Sequence, residues 1–557
     1  MLAKSTAPIL VLNSNTERES GRRAQLANIA AGRAVADVLA STLGPRSMLK
    51  MLIDPTGGIV LTNDGHAILR EIDVKHPAAK SIIELARMQD EEVGDGTTSV
   101  VCLTGEMLQA ARPFIEAGLH PSSVVAGYFR ALEESTRLLT TLARPVDLTD
   151  EADLRRALQS CVGTKFYERW GETVVRLALE ACSVVMRGLS NPLKLASELK
   201  RFAKVEKIPG GAAEECRVLR GVMLNKDVIH PGMRRRVVAP RVVLLDCPLE
   251  YKKAESQTNM EMSREGDMAA ALQEEINEVA AQCLAITRMR PDVVVTEKGV
   301  SDLAQHYLVQ AGVSVLRRAR KTDNNRIARV TGARIVYRPD ELQEEDVGTR
   351  CGLFEVRLVG DEYFAFFEDC AEPSACSIVL RGGSKDSLNE LERNLHDALG
   401  VARNLFACPR VVPGGGATEM ALAHRLLAVV GGVAPASQKP FRAVAYALEA
   451  IPRTLASNCG ADVVRLLTQL RAKHAEEDGQ WFGVDGCAGV LADMRELGVW
   501  DPFLVKSQVV KTAIESCCML LRIDDVVSGI KKKEPKASGM QGGQPEGAEA
   551  MIDAREG

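Results

Sequence analysis

Residues 94–99, Gly-Asp-Gly-Thr-Thr-Ser, combine residue types that suit a metal-bound phosphate. They stand between a helical pattern that ends near Val93 and another that begins near Thr97. The start of a helix leaves backbone N–H groups unpaired and carries partial positive charge, so it favours an anion. The glycines allow close approach, the hydroxyls add donors, and Asp95 suits Mg²⁺. The stretch predicts a metal-nucleotide site, although an Asp/Gly turn before a Thr-capped helix explains the same residues.

Two familiar nucleotide motifs are missing from the sequence. It contains no G-x-x-x-x-G-K-[ST], and no third glycine completes G-x-G-x-x-G after Gly94 and Gly96. A nucleotide would therefore bind by another scheme, to which four glycine-marked breaks could contribute, although each alone is also explained as a plain turn. These breaks are Leu43-Gly44-Pro45, Thr62 to Gly65, Gly94 to Ser99, and Gly414 to Gly416.

Length and charge set the protein class. The 557 residues suggest about three or four domains. Lys plus Arg is 70 and Asp plus Glu is 74, so the net charge is 70 − 74 = −4. No global attraction to nucleic acid or anionic lipid follows from this charge. Local basic clusters, such as Arg234 to Arg236 and Lys531 to Lys533, are explained as solvated faces or as polyanion sites.

The 14 cysteines are scattered, without a C-x-x-C pair or a Cys/His zinc spacing. This usage is typical of a reduced cytosolic protein, in which Cys370 and Cys376 could pair or stay free thiols. The N-terminus lacks a basic region followed by a long apolar core, and no run of ~18 apolar residues occurs. Secretion and membrane spanning are therefore both disfavoured.

Helical spacing of apolar residues predicts most of the elements that would position the candidate nucleotide-binding residues. The first helix ends at Gly44-Pro45, and one that begins at Pro440 should kink at Pro452. A capping box of Ser387 and Glu390 opens a later helix. Predicted helices cover 17–41, 77–94 and 121–143, a predicted strand covers 58–62, and the tail 531–557 is predicted to be disordered.

The middle of the chain reads as an α/β module with a partly parallel sheet. Short β-rich runs cover 242–245, 293–295, 313–316 and 333–336. A long charged helix between the first two runs carries one apolar stripe from Met268 to Ile286. Such an excursion is either a packing arm or a segment that closes over a cavity.

Several separated motifs carry a resemblance to a known family. The chain resembles the group II chaperonins of the eukaryotic cytosol, the family of the TCP-1 ring complex, from about Ile9 to Ile530. Three segments resemble one subunit type of that family: LNSNTERESGRRAQ, KTDNNRIARVTGARIV and VEKIPGGAAEECRVLRGVMLNKDV. The family motifs are LGPRSM, TNDGHAILRE, HPAAK, DEEVGDGTTSVV, VVPGGGATE and LGVWDP.

The resemblance implies a multi-domain α and α/β fold with a mostly helical equatorial domain, a small intermediate domain and an α/β apical domain. The apical module would be an insertion that separates the two halves of the equatorial ATP-binding domain. The implied boundaries are 1–148 with 405–530 for the equatorial domain, 149–219 with 371–404 for the intermediate domain, and 220–370 for the apical domain. A helical lid protrusion would cover about 251–286.

The resemblance also implies roles for individual residues. Asp95 would bind Mg²⁺, while Asp64 and Asp397 would flank the γ-phosphate and orient the attacking water. Without the resemblance, Asp397 could also be half of an ordinary surface ion pair with Arg393. Phosphate or nucleotide contacts are implied for Thr42, Gly44, Gly96, Thr97, Thr98, Ser99, Gly415, Gly486 and Asp501. Asp501 would meet the ribose.

A further implied pair, Thr164 and Lys165, would sense the γ-phosphate from the intermediate domain. The residues before it, Cys161-Val162-Gly163, depart from the Ser-rich run of the family. Substrate would meet apical helices whose side chains offer a mixed polar surface. The candidate contacts are Leu303, His306, Tyr307, Lys321, Asn325, Arg326 and Arg329.

The implied function is that of an ATP-dependent chaperone subunit with ATP/ADP and Mg²⁺ as ligands. Its partners would be seven other subunit types in a hetero-oligomeric double ring and non-native cytoplasmic proteins of the actin and tubulin class, with no nucleic acid and no membrane. The alternative is a structural ring subunit with a weak or silent ATPase. The presence of Asp64, Asp95 and Asp397 speaks against that alternative.

Overall fold

The N-terminal part of the molecule is mainly helical. The computed structural model describes residues 17–53, 57–148, 150–163, 168–187, 195–251 and 266–528. Its first elements are β1 (Glu17–Ser20), α1 (Arg22–Ala40), β2 (Lys50–Ile53), β3 (Ile59–Thr62), α2 (Gly65–Glu71), α3 (Pro77–Val93), α4 (Thr97–Glu116), α5 (Pro121–Leu142) and β4 (Arg144–Pro145). Pro77 and Pro121 occupy the first turns of their helices, where the missing N–H costs nothing.

The middle of the chain mixes helices and short strands. Three helices come first: α6 (Glu151–Val162), α7 (Glu168–Arg187) and α8 (Leu195–Phe202). Next are β5 (Ala203–Pro209), β6 (Arg217–Leu219), β7 (Val222–Leu224), β8 (Arg236–Val238), β9 (Val242–Leu245), α9 (Asp267–Arg288), β10 (Val293–Thr296), α10 (Asp302–Gln310), β11 (Ser314–Leu316), α11 (Lys321–Thr331) and β12 (Ile335–Val336). The hairpin β13 (Leu353–Val359) and β14 (Glu362–Glu368) follows.

The remaining elements return to helices. They are β15 (Cys376–Gly382), α12 (Lys385–Ala407), β16 (Arg410–Pro413), α13 (Ala417–Val429), α14 (Pro435–Leu448), α15 (Ala450–Asn458), α16 (Val463–His474), β17 (Phe482–Asp485), β18 (Val490–Asp493), α17 (Met494–Leu497), β19 (Trp500–Pro502), α18 (Phe503–Leu521) and β20 (Asp525–Ser528). Helices α14 and α15 are separated at Glu449, because Pro452 cannot continue the ladder of the preceding turn. The predicted interruption before Pro452 is confirmed, but the helix begins at Pro435 and contains Pro440 in its interior, so the predicted start at Pro440 is wrong.

One helical core joins the two ends of the chain. Its buried residues come from 29–142 and from 412–521, so distant segments share a single apolar interior. Strand β1 pairs antiparallel with β20, and Arg18 contacts Asp525 at 2.6 Å. The prediction of helix from Glu17 is therefore wrong for its first residues, because a partner strand far along the chain takes their backbone groups.

The predicted α/β module contains a four-stranded parallel sheet in the order β11-β10-β9-β12. Every residue of β9 and β10 is buried, as expected for a sheet covered on both faces. A second sheet is antiparallel, with the strand order β7-β14-β13-β8. Its strands come before and after those of the parallel sheet in the sequence. The multi-domain α and α/β fold class is confirmed, whereas the domain boundaries stay a prediction.

The charged helix α9 is buried along only part of its predicted apolar stripe. Val279, Cys283 and Ile286 are buried, but Met268 and Leu272 are exposed. The first half of the stripe is thus available for contact, in keeping with an excursion from the module. Residues 252–265, which belong to the predicted lid, lie outside the described residues, as does the tail predicted to be disordered.

Two smaller predictions need correction. Ser384, not Ser387, caps α12: its Oγ accepts from the Ser387 N–H at 3.2 Å. Arg326 is not part of an exposed polar surface, because it is buried and donates to Asp323 at 2.7 Å and to the Arg201 carbonyl at 2.8 Å. Of the partners named here, only Arg201 is distant in sequence, and the local sequence could not show that contact.

Candidate nucleotide site

A cavity of about 560 Å³ opens between segments that are far apart in the sequence. This volume lies within the range of small-molecule sites in proteins. Apolar side chains form one part of its wall, and the rest contains glycines together with hydroxyl, carboxylate, amide and basic side chains. The predicted residues that line it are Thr42, Gly44, Asp95, Gly96, Thr97, Thr98, Ser99, Gly415, Gly486 and Asp501.

The loop at residues 94–99 joins α3 to α4 through two left-handed glycines. Gly94 ends α3 with φ of 71°, and Gly96 precedes α4 with φ of 78°. Gly96 has no side chain to cap the helix, so the alternative of a Thr-capped helix is wrong. The amide groups of the first turn of α4 face the cavity side with hydroxyls beside them, which is an arrangement suited to an anion.

The position of Asp95 is fixed by two backbone contacts. Its Oδ1 accepts from the Gly96 N–H at 2.7 Å, and its carbonyl accepts from Gln89 Nε2 at 3.0 Å. Among the described residues no group of three or more His, Cys, Asp or Glu side chains could hold a metal by itself. Mg²⁺ commonly uses one or two carboxylates together with substrate phosphates and water, so a single Asp95 fits that ion.

Glycine is required where the cavity wall meets its neighbours. A Cβ on Gly96 would lie 2.9 Å from Val509 Cγ2, and one on Gly486 would lie 2.5 Å from Pro45 Cγ. Asp485 holds the second turn, since its Oδ1 accepts from the Cys487 N–H at 2.8 Å. These close approaches leave room for a ligand only because no side chain occupies the glycine positions.

The segment after α1 forms the opposite wall. Thr42 Oγ1 donates to the Leu39 carbonyl at 2.8 Å, and Gly44 has φ of 92°. Asn458 Nδ2 donates to the Leu43 carbonyl at 2.8 Å and so ties this turn to α15. The family motif around Gly44 therefore has a structural anchor on the other half of the chain.

Asp64 meets the loop from α2 rather than lining the described cavity wall. Its carboxylate caps α2 by accepting from the Ala67 N–H at 3.1 Å, and Thr97 Oγ1 lies 3.4 Å from its Oδ1. His66 Nδ1 lies 3.1 Å from Asp90 Oδ2, and this hydrogen bond raises the pKa of the imidazole above its ordinary value. The interaction with Asp90 holds the first turn of α2 beside the loop.

Asp397 is carried by α12 toward the same loop. Gly400 approaches Gly94 so closely that a Cβ on either would lie 3.1 Å from the other Cα. Asn404 Nδ2 donates to the Val93 carbonyl at 2.7 Å. Asp397 precedes these residues by three and seven positions, so it shares their helix face. Arg393, the partner considered for a surface ion pair, contacts Glu390 at 2.6 Å.

Asp501 belongs to a buried charge cluster that the sequence did not indicate. Lys506 Nζ lies 3.1 Å from Asp501 Oδ2 and 2.6 Å from Glu419 Oε1. Burial alone would lower the pKa of Lys506, but the two carboxylates raise it above its ordinary value. Lys506 therefore stays charged and links α18, α13 and β19 at the cavity wall.

Helix α6 contributes lining residues that sequence reasoning also missed. Arg156, Gln159, Ser160 and Gly163 line the cavity. Ser160 Oγ accepts from the Trp500 N–H at 2.9 Å, one residue from Asp501. The predicted pair Thr164 and Lys165 lies outside the described residues, directly after this segment. A serine in an amphipathic helix carries no local signal of such a contact.

We expect Gly96→Ala to destabilise the protein beyond the cost of its left-handed backbone. Strain at positive φ costs about 1–2 kcal/mol, and overpacking against Val505 and Val509 adds about 1–3 kcal/mol. Gly460→Ala is the matched control, because Gly460 has φ of 74° and open space around it. Denaturant unfolding of both variants measures the difference, and equal losses would contradict the packing argument.

Among the described residues, no helix is both long enough and apolar enough to cross a membrane.

Comparison with known proteins adds a family and several full-length relatives. A model of the TCP-1/cpn60 chaperonin family matches residues 35–531. T-complex protein 1 subunit gamma of Tetrahymena pyriformis is 61% identical over 553 residues, which cover 99% of each chain. The human protein of that name is 54% identical over 97% of this chain and 98% of its own. The Saccharomyces cerevisiae protein is 54% identical over 95% and 100%.

Proposed function

The chain belongs to the TCP-1/cpn60 chaperonin family and is a chaperonin subunit similar over nearly its whole length to gamma subunits, and we propose that it binds and hydrolyses MgATP to drive protein folding. The resemblance seen in the sequence, to group II chaperonins and within them to the gamma subunit, is thereby confirmed. We propose that the chain acts in the cytoplasm and helps to fold non-native proteins of the actin and tubulin class.

The observation that carries the ATPase proposal is the convergence of distant segments on one cavity. Gly44, Gly96, Gly415 and Gly486 line it together with Asp95 and Asp501, although the α/β module separates the first half of this set from the second in sequence. A glycine-marked turn is uninformative alone. Several such turns around one cavity, with a helix N-terminus and carboxylates, support nucleotide binding.

The phosphates would lie against the first turn of α4. The Thr97, Thr98 and Ser99 N–H groups and hydroxyls would donate to phosphate oxygens, and Asp95 would hold the metal. Mg²⁺, when bound, neutralises charge that develops on the transferred phosphoryl group. Asp64 and Asp397 approach from α2 and α12, where they would orient the attacking water.

The nucleoside would occupy the other part of the cavity. Apolar residues Ile451, Leu455 and Val484 line the wall and suit a base, while Asp501 suits the ribose hydroxyls as an acceptor. Lys506 holds one oxygen of Asp501 at 3.1 Å and so fixes its orientation. This division into an apolar and a phosphate-binding part supports ATP over an anion without a base.

Helix α6 would carry the state of the nucleotide to the rest of the molecule. Its Ser160 hydroxyl lies 3.3 Å from the Gly498 carbonyl on the cavity side, and Leu154, Ala157 and Leu158 pack into the core that α7 shares. Thr164 and Lys165 follow this helix and would sense the γ-phosphate. Coupling by a packed helix would pass hydrolysis to the apical module and its protrusion.

Assembly with other chains is the second part of the proposal. The hairpin of β2 and β3 exposes Met51, Ile53, Ile59 and Leu61, which is an unusual concentration of apolar surface for a short hairpin. Burial against neighbouring subunits would account for it. We propose that seven other subunit types complete a hetero-oligomeric double ring.

A structural ring subunit with a weak or silent ATPase is the alternative. Both functions predict ring assembly, so the discriminating measurement is turnover. The particle isolated through a tagged copy of this chain should show two stacked rings by electron microscopy and should hydrolyse ATP and protect a denatured client. A particle without two rings would exclude the assembly, while rings with no turnover at this subunit would favour the alternative.

We expect Asp95→Asn to weaken Mg²⁺-dependent ATP binding by about tenfold, because the amide keeps the shape of Asp95 but removes the charge that binds the metal. Binding measured with a chelator present should change little. Fluorescence titration with and without Mg²⁺ checks this difference. Asp37→Asn, on the exposed face of α1, is the matched control. An equal effect in both conditions would contradict the metal role.

A further inference from the structure

Two cysteines face each other at the open end of the β13–β14 hairpin. The last ladder pair is Leu353 with Glu368, and continuing that register places Cys351 opposite Cys370. The register holds past this point, because the Ala371 N–H donates to the Arg350 carbonyl at 3.0 Å. Asp369, with φ of 54°, ends the regular strand without shifting the pairing.

This register puts the cysteines at a position that favours a crosslink. Arg350 and Ala371 share a backbone hydrogen bond, so the next pair inward, Cys351 and Cys370, is a non-hydrogen-bonded pair. Such pairs have Cα atoms about 4.5 Å apart and the closest side chains in an antiparallel ladder. Disulfides span Cα separations of about 4.4–6.8 Å, which includes this spacing.

The two sulfur atoms lie beside the same backbone carbonyl. The Glu368 carbonyl oxygen is 3.6 Å from Cys351 Sγ and 3.7 Å from Cys370 Sγ, and Cys351 Sγ also lies 3.3 Å from the Leu353 carbonyl oxygen. The interaction between the two thiols lowers the pKa of Cys351 and raises the pKa of Cys370.

We propose that Cys351 and Cys370 form a reversible disulfide and are a redox modification site of this chain. A peroxide would reach the pair from the side of Cys370, since Cys370 is partly exposed and Cys351 is buried. The sulfur that carries the thiolate attacks the O–O bond, giving a sulfenic acid and one water from hydrogen peroxide. The other thiol then displaces the second water, so two thiols lose two electrons and two protons overall.

Cys370 lies beside a cavity through which small molecules can reach the pair. It lines a cavity of about 500 Å³ that also contains Arg187, Arg217 and Arg220. The carboxylates that share this cavity are Asp369 and Glu368, and Glu368 is paired with Arg357. These cationic side chains would attract an anionic thiol reductant such as glutathione, which can reopen the disulfide.

The nearby Cys376 is a poorer partner for Cys370, although the sequence left that pairing open. Cys376 begins β15 with a fully buried side chain, and burial raises the pKa of its thiol to about 12. Its register partners are fixed, since the next residue, Ser377, pairs with Leu219 and with Lys204. Pairing with Cys376 would require this central strand to open, whereas pairing with Cys351 requires the oxidation of two thiols that already face each other in the register.

The disulfide would close the hairpin where the chain passes from β14 to β15. Residues between these strands connect the antiparallel sheet to the three-stranded sheet β5-β15-β6. A covalent link at this point restricts how the two sheets move relative to one another. The inference does not depend on nucleotide binding, so it can be tested in the presence or absence of ATP.

The test is peroxide treatment of the full-length chain in its assembled particle, followed by alkylation of the remaining thiols and mass spectrometry. We expect a linked peptide pair joining Cys351 to Cys370, lighter by the two hydrogens lost and absent after treatment with dithiothreitol. Cys376→Ser should leave this link unchanged. In Cys351→Ser, Cys370 should lose the link and become oxidised beyond the sulfenic acid, because its resolving thiol is missing.

Two results would overturn the inference. One is a link from Cys370 to Cys376 in the wild type in place of the link to Cys351. The other is survival of both thiols at peroxide concentrations that fully oxidise the exposed Cys487, which serves as an internal reference for solvent access. Neither readout requires a variant to fold, so instability of a substituted chain would not obscure the answer.

Discussion

We expect Asp397→Asn to slow ATP hydrolysis at this subunit by roughly 10²–10⁴-fold while nucleotide affinity changes only a few-fold. The amide preserves the size and packing of the side chain on α12 but cannot accept a proton from, or orient, the attacking water as a carboxylate does. Binding of ATP rests on other groups, namely the start of α4 and Asp95. Loss of turnover with retained binding is therefore the specific signature of the proposed role.

The measurement needs a particle in which the other subunits do not mask the result. Their hydrolysis should be silenced by equivalent substitutions, leaving this chain as the active subunit, and turnover and nucleotide affinity should be measured on the same preparation. Asp386→Asn is the matched control, because Asp386 lies exposed in the first turn of the same helix. Its turnover should equal that of the wild type.

Other outcomes separate the competing interpretations. Unchanged hydrolysis in Asp397→Asn would remove the water-orienting role and return Asp397 to an ordinary ion pair. A parallel loss of binding would show that the carboxylate positions α12 against the 94–99 loop, through Gly400 and Gly94, rather than acting on water. A wild type without turnover would favour the structural ring subunit.

The local sequence was sufficient to predict elements whose start or end is set by the backbone geometry of one or two residues. Pro77 and Pro121 fix helix starts, and Gly94 fixes a helix end because its left-handed φ excludes most side chains. The apolar β-branched run 293–295 predicted a strand of a partly parallel sheet, and Val293–Thr296 forms a buried parallel strand there. Nothing beyond a window of a few residues enters these predictions.

Contacts between distant segments could not be predicted from such windows. The strand at Glu17–Ser20 exists because Asp525–Ser528 pairs with it, and the apolar stripe of α9 is half exposed because no element in the described part of the chain covers Met268 and Leu272. No strand is predicted at β13 or β14, although five of the seven residues in each of LFEVRLV and EYFAFFE are apolar or aromatic. The partner, rather than the segment, determines the outcome at β1 and at α9.

Some residues of the candidate site could likewise be predicted from the sequence, and others could not. The family resemblance indicated Gly96, Asp95 and Asp501 as nucleotide contacts, and the structure brings them to one cavity. It gave no reason to single out Lys506, which looks like any lysine of an amphipathic helix until Asp501 and Glu419 are placed beside it. The energetic importance of this lysine therefore depends entirely on tertiary burial.

We expect Lys506→Met to lower the free energy of unfolding by about 3–5 kcal/mol, the usual cost of leaving a buried charge without its partner. Met fills a volume similar to that of the lysine stem, so the loss would come from charge and not from a cavity. Glu419, which is only 2% exposed, and Asp501 would both lose their shared cation. Denaturant unfolding of the full chain, with hydrogen exchange of α13 and α18, measures the effect.

Two comparison variants make the result specific to the buried cluster. Lys473→Met removes a lysine from an exposed pair with Glu476 and should cost no more than about 1 kcal/mol. Adding Glu419→Gln to Lys506→Met should restore part of the lost stability, because one uncompensated carboxylate becomes neutral. If the double variant were as unstable as Lys506→Met, packing rather than charge would hold α13 and α18 together, and the orientation of Asp501 at the ribose would need another cause.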